Sequence, residues 1–147
     1  ENIEEYNMFC ASKLDEIVDT DFCMVVQWDG YPINFDAWDS KFLEYDYIGA
    51  PWLLQPHAKD QTVGNGGFSI RSKAYMENTR KAVVRGDYKG YEPEDVYFCR
   101  TEKIEVLDYA PIGVAYEFSV EDMPYKGQFG FHGKNTIALN KKLGIFL

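Results

Sequence analysis

Tyr6, Phe9, Cys10, Leu14, Ile17 and Val18 recur three and four residues apart, which predicts an amphipathic helix over Tyr6–Val18 with one face toward a core. Asp19-Thr20-Asp21 interrupts that pattern. Phe22-Cys23-Met24-Val25-Val26-Gln27-Trp28 follows, an almost unbroken apolar run of strand length. A strand apolar on both faces predicts a central position, with helices covering each side. Asp29-Gly30 closes it.

Asn34 or Asp36 is placed to cap a short helix through Trp38, Phe42 and Leu43. Tyr47-Ile48-Gly49-Ala50 reads as a short strand that Pro51 ends. Leu53 to Val63 has no period and reads as a loop, and Gly64-Asn65-Gly66-Gly67 leads into a short strand or strand edge at Phe68-Ser69-Ile70. Ser72 caps a helix carrying Ala74, Tyr75, Met76, Thr79 and Val83. After a tyrosine-bearing linker at Gly86–Gly90, Pro93 opens a helix with Val96, Tyr97 and Cys99. Strands are expected at Ile104–Leu107 and Gly113–Phe118, and a loop at Phe129–Gly133. Helices alternating with apolar strands, without an internal repeat, indicate one α/β domain over residues 1–147.

Composition agrees with a folded domain: 46% of the 147 residues are hydrophobic, enough to build a core and too many for a disordered tail. Charge narrows the partners. Fifteen Lys and Arg against 24 Asp and Glu give a net charge of −9, and no basic patch opposes it, so nucleic acid is disfavoured. A small phosphorylated ligand bridged by a metal remains compatible. Cys10, Cys23 and Cys99 match neither a CxxC pair nor a zinc spacing and read as reduced, buried thiols of a cytoplasmic protein. No run of 18 apolar residues predicts a membrane span, and no signal peptide is evident. The chain opens at Glu1 rather than at Met, as expected for an excised domain or the remainder of a longer protein.

Four places carry candidate chemistry. Asp29 stands at the end of an apolar strand, where an open α/β sheet presents ligands, and a carboxylate there can hold a divalent metal against a diphosphate. Asp-Gly is equally a common turn pair. The glycines of Gly64-Asn65-Gly66-Gly67 let backbone approach a ligand, with Asn65 and Ser69 offering hydrogen bonds to sugar hydroxyls. The spacing fits neither a P-loop nor a dinucleotide fingerprint, and a tight loop explains it as well. In Glu92-Pro93-Glu94-Asp95, acidic residues suit the first turn of a helix, and Glu94 or Asp95 could also take a proton from a reacting hydroxyl. His132, between glycines, could complete a metal site begun by Asp29 or be a satisfied structural histidine. Lys134 could neutralise phosphate or simply be solvated, His57 receives no role, and the acidic pairs Asp15-Glu16 and Glu121-Asp122 read as solvated surface. Trp28, Tyr31, Trp38, Trp52, Phe68 and Phe131 lie beside these candidates in sequence and suit sugar rings or nucleobases as readily as a core.

The ordered blocks Val25–Tyr31, Tyr45–Trp52, Val63–Ser72, Glu94–Arg100 and Phe129–Gly133 resemble the DUF5672 family, a little-characterised group linked to glycosyltransferases. The resemblance runs from about Tyr6 to Gly133. More distantly the chain is similar to GT-A glycosyltransferases, and its Gly-Gly-Phe-Ser and Glu-Asp-Val-Tyr stretches to inverting β-1,3-type and fringe-like enzymes. That likeness implies a mixed central sheet flanked by helices, here lacking its N-terminal βαβ portion. It implies transfer of a sugar from a nucleotide-diphosphate-sugar donor to an acceptor hydroxyl, with Mn²⁺ or Mg²⁺ as cofactor.

By the same comparison Asp29 and His132 are the metal residues, Asp95 is the catalytic base and Glu94 its second candidate. Gln27, Trp28, Gly30, Trp52, Asn65, Gly66, Gly67, Ser69 and Lys134 line the donor and acceptor sites. Gln27-Trp28-Asp29 keeps only the last position of the Asp-x-Asp signature, which leaves the metal with one fewer carboxylate. Two other classes stay open: an inert carbohydrate- or nucleotide-binding module, and a metal-dependent nucleotide-sugar hydrolase.

Overall fold

Asn2 starts the first helix with a reciprocal cap: its side chain accepts the Glu4 N–H at 3.1 Å, and the Glu5 carboxylate reaches back to the Asn2 N–H at 3.4 Å. The computed structural model describes residues 2–52 and 63–146. Helix α1 spans Ile3–Ser12 and α2 Leu14–Ile17, so the helix expected over Tyr6–Val18 starts earlier and breaks at Lys13.

Strand β1 (Phe22–Val26) pairs antiparallel with β4 (Phe68–Ser72), which pairs antiparallel with β3 (Tyr47–Gly49). The central strand is therefore β4, and all five of its residues are buried. The apolar run of β1 occupies an edge instead, where Met24 is 37% and Val26 54% exposed. Hydrophobicity alone cannot separate a covered strand from one whose neighbour lies on one side only. A second sheet has the order β2 (Gly30–Pro32), β6 (Gly130–His132), β5 (Ser119–Val120), with β2 antiparallel and β5 parallel to β6. Among the described residues the architecture is mixed α/β with two three-stranded sheets, and the second is the one that mixes strand directions. A single mixed central sheet is not what these residues build.

Several expected elements change type. The helix through Trp38 and Phe42 is two 3-10 turns, Phe35–Ala37 and Ser40–Leu43, and the cap of the second is Asp39, which accepts the Lys41 N–H at 2.9 Å. Ile104–Leu107 is a turn, closed by the Leu107 N–H donating to Ile104 O at 3.1 Å. The strand expected at Gly113–Phe118 is helix α5 (Ile112–Phe118), begun after Pro111 and burying Ala115 and Phe118 three residues apart. Phe129–Gly133 is not a loop, since it contains β6. The loop expected at Leu53–Val63, with His57, lies outside the described residues except at Val63, which bridges Pro51.

Helix α3 (Lys73–Arg85) follows expectation: Ser72 accepts the Tyr75 N–H at 3.0 Å, and Gly86 ends it with φ 82°. Helix α4 (Glu94–Val96) runs into a wide turn over Tyr97–Thr101, where the Glu102 N–H donates to Tyr97 O at 2.8 Å. Helix α6 (Lys134–Lys142) ends the described fold.

One face of the first sheet meets an aromatic core. Phe68 stacks on Phe118 with centroids 4.8 Å apart, and Phe129 and Phe42 pack against the same rings. This core joins the sheets, because Phe68 stands on β4 while Phe118 and Phe129 flank β5 and β6. The opposite face carries Arg71 between Tyr47 and Tyr75 and meets α1, α3 and α4. Acidic Asp15, expected at the solvated surface, lies between Lys73 at 3.0 Å and Arg80 at 2.6 Å and ties α2 to α3. All three cysteines are free; Cys10 and Cys99 are buried, and burial raises both thiols above their usual range. Among the described residues, no helix is long and apolar enough to cross a membrane.

Candidate functional site

A tight turn places Asp29. Gln27 and Gly30 exchange both backbone hydrogen bonds at 3.0 Å, leaving Trp28 and Asp29 at the corner between β1 and β2. Asp29 is thus a turn residue, and the turn aims it. Its carbonyl accepts the Gly133 N–H at 2.8 Å, which locks the turn to the end of β6. The register of β2 with β6 sets Gly30 opposite His132. A side chain at residue 30 would collide with the imidazole, so glycine permits the pairing.

The result joins the two residues expected to hold a metal: His132 Nε2 lies 3.8 Å from Asp29 Oδ1. It also lies 3.4 Å from Gln27 Oε1. The Gln27 amide is oriented by its other end, which donates to the Tyr6 hydroxyl at 2.6 Å. Gly67 passes underneath, and a side chain there would strike both His132 Nε2 and Gln27 Oε1. The other face of the imidazole meets Glu121, with Nδ1 3.4 Å from Oε1. Glu121 is therefore not free surface: its side chain is 19% exposed.

These atoms bear on whether the residues suit a divalent ion. Nε2 faces two oxygens, one of them carrying carboxylate charge, and since Gln27 Oε1 can only accept, the ring N–H donates to it. With that proton displaced, Nε2 and the two oxygens near it would be acceptors of the kinds that suit a divalent cation. Among the described residues, no group of three or more His, Cys, Asp or Glu side chains is arranged to hold a metal. Asp29, His132 and the Gln27 carbonyl thus fit an ion shared with a ligand better than one caged by protein alone.

On the other side of the glycine loop, Asp95 Oδ2 accepts the Gly66 N–H at 2.7 Å and Oδ1 accepts the Val96 N–H at 2.9 Å. Asp95 is partly exposed and reaches the loop one residue before Gly67. Glu94, the second base candidate, is 3% exposed and paired with Arg71 at 2.5 Å. Burial pushes its carboxyl up, to about 7, against the lowering pull of Arg71. Glu94 serves the interior, and so does Ser69, whose hydroxyl donates to Gly66 O at 3.3 Å and accepts from Arg71 Nε at 3.1 Å. Arg71 also donates to Gly66 O at 3.1 Å. The loop is thus held from below by an ion pair and from the side by Asp95.

Asn65 is 2% exposed with φ 72°, and neither end of its amide has a partner among the described residues. Asparagine tolerates this left-handed backbone, and its unsatisfied buried amide is the feature that asks for a partner. Trp52 is buried against Gly64 with Arg100 over its ring at 5.6 Å, so it is part of the loop's wall rather than a free platform. Trp28 is 77% exposed beside Asp29, and Lys134 is exposed at the start of α6. A groove of about 230 Å³, lined by Tyr31, Phe131, Lys141 and Phe146 among others, opens on the far side of the second sheet. Tyr31 and Phe131 alternate with Gly30 and His132 along their strands and so face away from them.

Sequence reading missed Glu121 and Tyr6. Glu121 follows directly on β5, whose parallel register with β6 sets Val120 beside Phe131 and so carries Glu121 to His132. No local motif announces such a parallel pairing. Tyr6 carries no sequence signal beyond its place on a helical apolar face.

No curated protein matches the chain, and no solved structure matches it. A family model described as "Protein of unknown function (DUF5672)" matches residues 1–132, a span that takes in Asp29, the glycine loop, Asp95, Glu121 and His132. The chain belongs to the DUF5672 family.

Proposed function

We propose that this chain is a glycosyltransferase of GT-A type, moving a sugar from a nucleotide-diphosphate-sugar donor to an acceptor hydroxyl. The observation that carries this reading is the meeting of Asp29 Oδ1 and His132 Nε2, 3.8 Å apart, one residue along a glycine loop from the loop's contact with Asp95. Asp29, His132 and Gln27 Oε1 would hold Mn²⁺ or Mg²⁺, which neutralises charge on the departing diphosphate when bound. Exposed Trp28 beside Asp29 offers a face to a ring of the donor or acceptor. Asp95 would take the acceptor proton as the new C–O bond forms at the anomeric carbon and the bond to the diphosphate breaks, with inversion. Lys134 stands ready to offset phosphate charge.

A second reading, an inert carbohydrate- or nucleotide-binding module, draws support from Asp95 itself. Both of its oxygens already accept backbone N–H groups, which is structural employment for a general base. Calorimetric titration of UDP and GDP, each with and without Mn²⁺, tests the site in wild-type protein and in Asp29→Ala. Metal-dependent nucleotide binding that Asp29→Ala abolishes is the expected result, and equal binding by both proteins would sink the proposed metal role. Sugar transfer from a donor panel then separates enzyme from module, and free sugar released without acceptor would mark a hydrolase.

A further inference from the structure

We infer that the far face of the second sheet, together with the end of α6, docks on the surface of an anionic lipid membrane. Charge sets this face apart. The chain as a whole carries a net charge of −9, yet after Asp122 it has no Asp or Glu and four lysines, Lys126, Lys134, Lys141 and Lys142. All four are exposed, and among the described residues none pairs with a carboxylate. Lys13, Lys41, Lys73 and Lys81, elsewhere on the molecule, each meet one. The fold gathers three of the free lysines around the groove: Lys141 lines it, Lys142 follows, and Lys126 is next to Tyr125, whose ring packs on Phe146 at 5.7 Å.

Apolar side chains stand bare among these cations. Helix α6 closes on Gly144, at φ 71°, with the Gly144 N–H donating to Lys141 O at 3.0 Å and the Ile145 N–H to Asn140 O at 2.8 Å. That reversal returns Phe146 to Phe131, ring centroids 4.9 Å apart, and leaves Leu143 and Ile145 53% and 41% exposed. Tyr31 and Ile33, at the groove, are 42% and 36% exposed. Lysines near a helix C-terminus complement its dipole, which accounts for Lys141 and Lys142 but not for Lys126 or for the bare Leu143 and Ile145. Cations interleaved with exposed aromatic and aliphatic groups match an anionic bilayer surface: the ammonium groups meet headgroup charge while Tyr31, Leu143 and Ile145 enter the layer beneath. A groove of about 230 Å³ is too small for a partner's helix, and Leu143 and Ile145 lie outside it. The acidic remainder of the chain is repelled by the same lipid, which orients the molecule with this face down. His132 alternates with Phe131 along β6 and so stays on the side away from the membrane. The inference does not depend on the transferase reading.

Co-sedimentation with vesicles tests this on the protein alone, without nucleotide or metal. Phosphatidylcholine vesicles containing phosphatidylserine should carry the protein down, phosphatidylcholine alone should not, and raised salt should release it. Lys141→Gln with Lys142→Gln should weaken binding roughly 30-fold, the share of two lysines at an anionic surface. Ile145→Ser should weaken it as well, through the lost apolar contact. Lys13→Gln with Lys81→Gln removes the same charge elsewhere and should bind like wild type; all four of these lysines are exposed, so circular dichroism should show both proteins folded. Wild-type protein that ignores phosphatidylserine vesicles overturns the inference and requires no variant to fold. Equal weakening by the two lysine pairs overturns it too, since net charge would then suffice. Soluble polyglutamate that binds wild type as tightly as the vesicles do, and displaces them, would give the face to an acidic protein instead and overturn the lipid assignment.

Discussion

Gly67 has no room for a side chain because His132 fills the space: a Cβ on residue 67 would fall on Nε2 of the imidazole and on Oε1 of Gln27. The need is steric rather than conformational, since Gly67 is not among the positive-φ glycines. Gly67→Ala should push the ring off Asp29, weaken metal-dependent nucleotide binding by at least about tenfold and cost about 1–3 kcal/mol of stability. Calorimetry and urea denaturation read the two effects. Nucleotide binding equal to wild type would show that the ring position does not matter.

Gly113 provides the contrast. It lies in α5, where a Cβ meets nothing within 4 Å and φ is ordinary. Gly113→Ala should leave the site untouched and stabilise the fold by about 0.4–1 kcal/mol through helix propensity and a less disordered unfolded chain. A lower denaturation midpoint would contradict the open space seen there.

Arg71 and Glu94 are 1% and 4% exposed at their side chains and cross from β4 to α4 beneath the glycine loop. Glu94→Ala strands a guanidinium in the interior and should cost about 3–5 kcal/mol. The double replacement Arg71→Met with Glu94→Leu removes both charges and should cost less than Glu94→Ala alone. Chemical denaturation of the two proteins gives the comparison, and a double variant that is the less stable of the pair would contradict a buried ion pair.

Asp95 is tied to Gly66 and Val96, so Asp95→Asn acts twice. One amide oxygen can replace only one of the two accepting oxygens, which should cost about 1 kcal/mol of stability. Under the transferase reading, turnover should also fall while donor affinity stays nearly intact. Unchanged turnover in a steady-state assay would remove Asp95 from the chemistry and leave it as a loop anchor.

Asp15 gives a pH dependence with a definite sign. Burial raises its carboxyl, but hydrogen bonds from Lys73 and Arg80 outweigh this and hold it below its ordinary 3.8. A carboxyl lowered in the folded state adds stability above its unfolded value and loses it as pH falls through the folded value. Wild-type stability should therefore decline in acid below the ordinary 3.8 more steeply than that of Asp15→Asn. Urea titrations across that range check this, and parallel pH profiles would exclude the ion pair as the cause.

Much of the polar framework could be read locally. Ser72 capping α3, the strand at Tyr47–Gly49 and the helix after Pro93 depend on a few adjacent residues, and each forms where its sequence signal lies. The same holds for Asp29 and His132, since turn and glycine signals mark both. Their meeting across β2 and β6 depends on pairing between segments a hundred residues apart, which no local pattern encodes.

The elements that changed type show what burial decides. Gly113–Phe118 has the residues of a strand, and became a helix because Ala115 and Phe118 then share one face toward the aromatic core. Phe22–Val26 reads as central and lies at an edge, because in its sheet β4 is the strand with a partner on each side. Glu94 and Asp95 are adjacent in sequence, yet one is sealed against Arg71 and the other stays partly exposed at the glycine loop. Sequence by itself determined which residues could carry charge, turn or cap. Tertiary structure decided which of those charges were desolvated and which faced one another, because burial and proximity come only from segments meeting at long range.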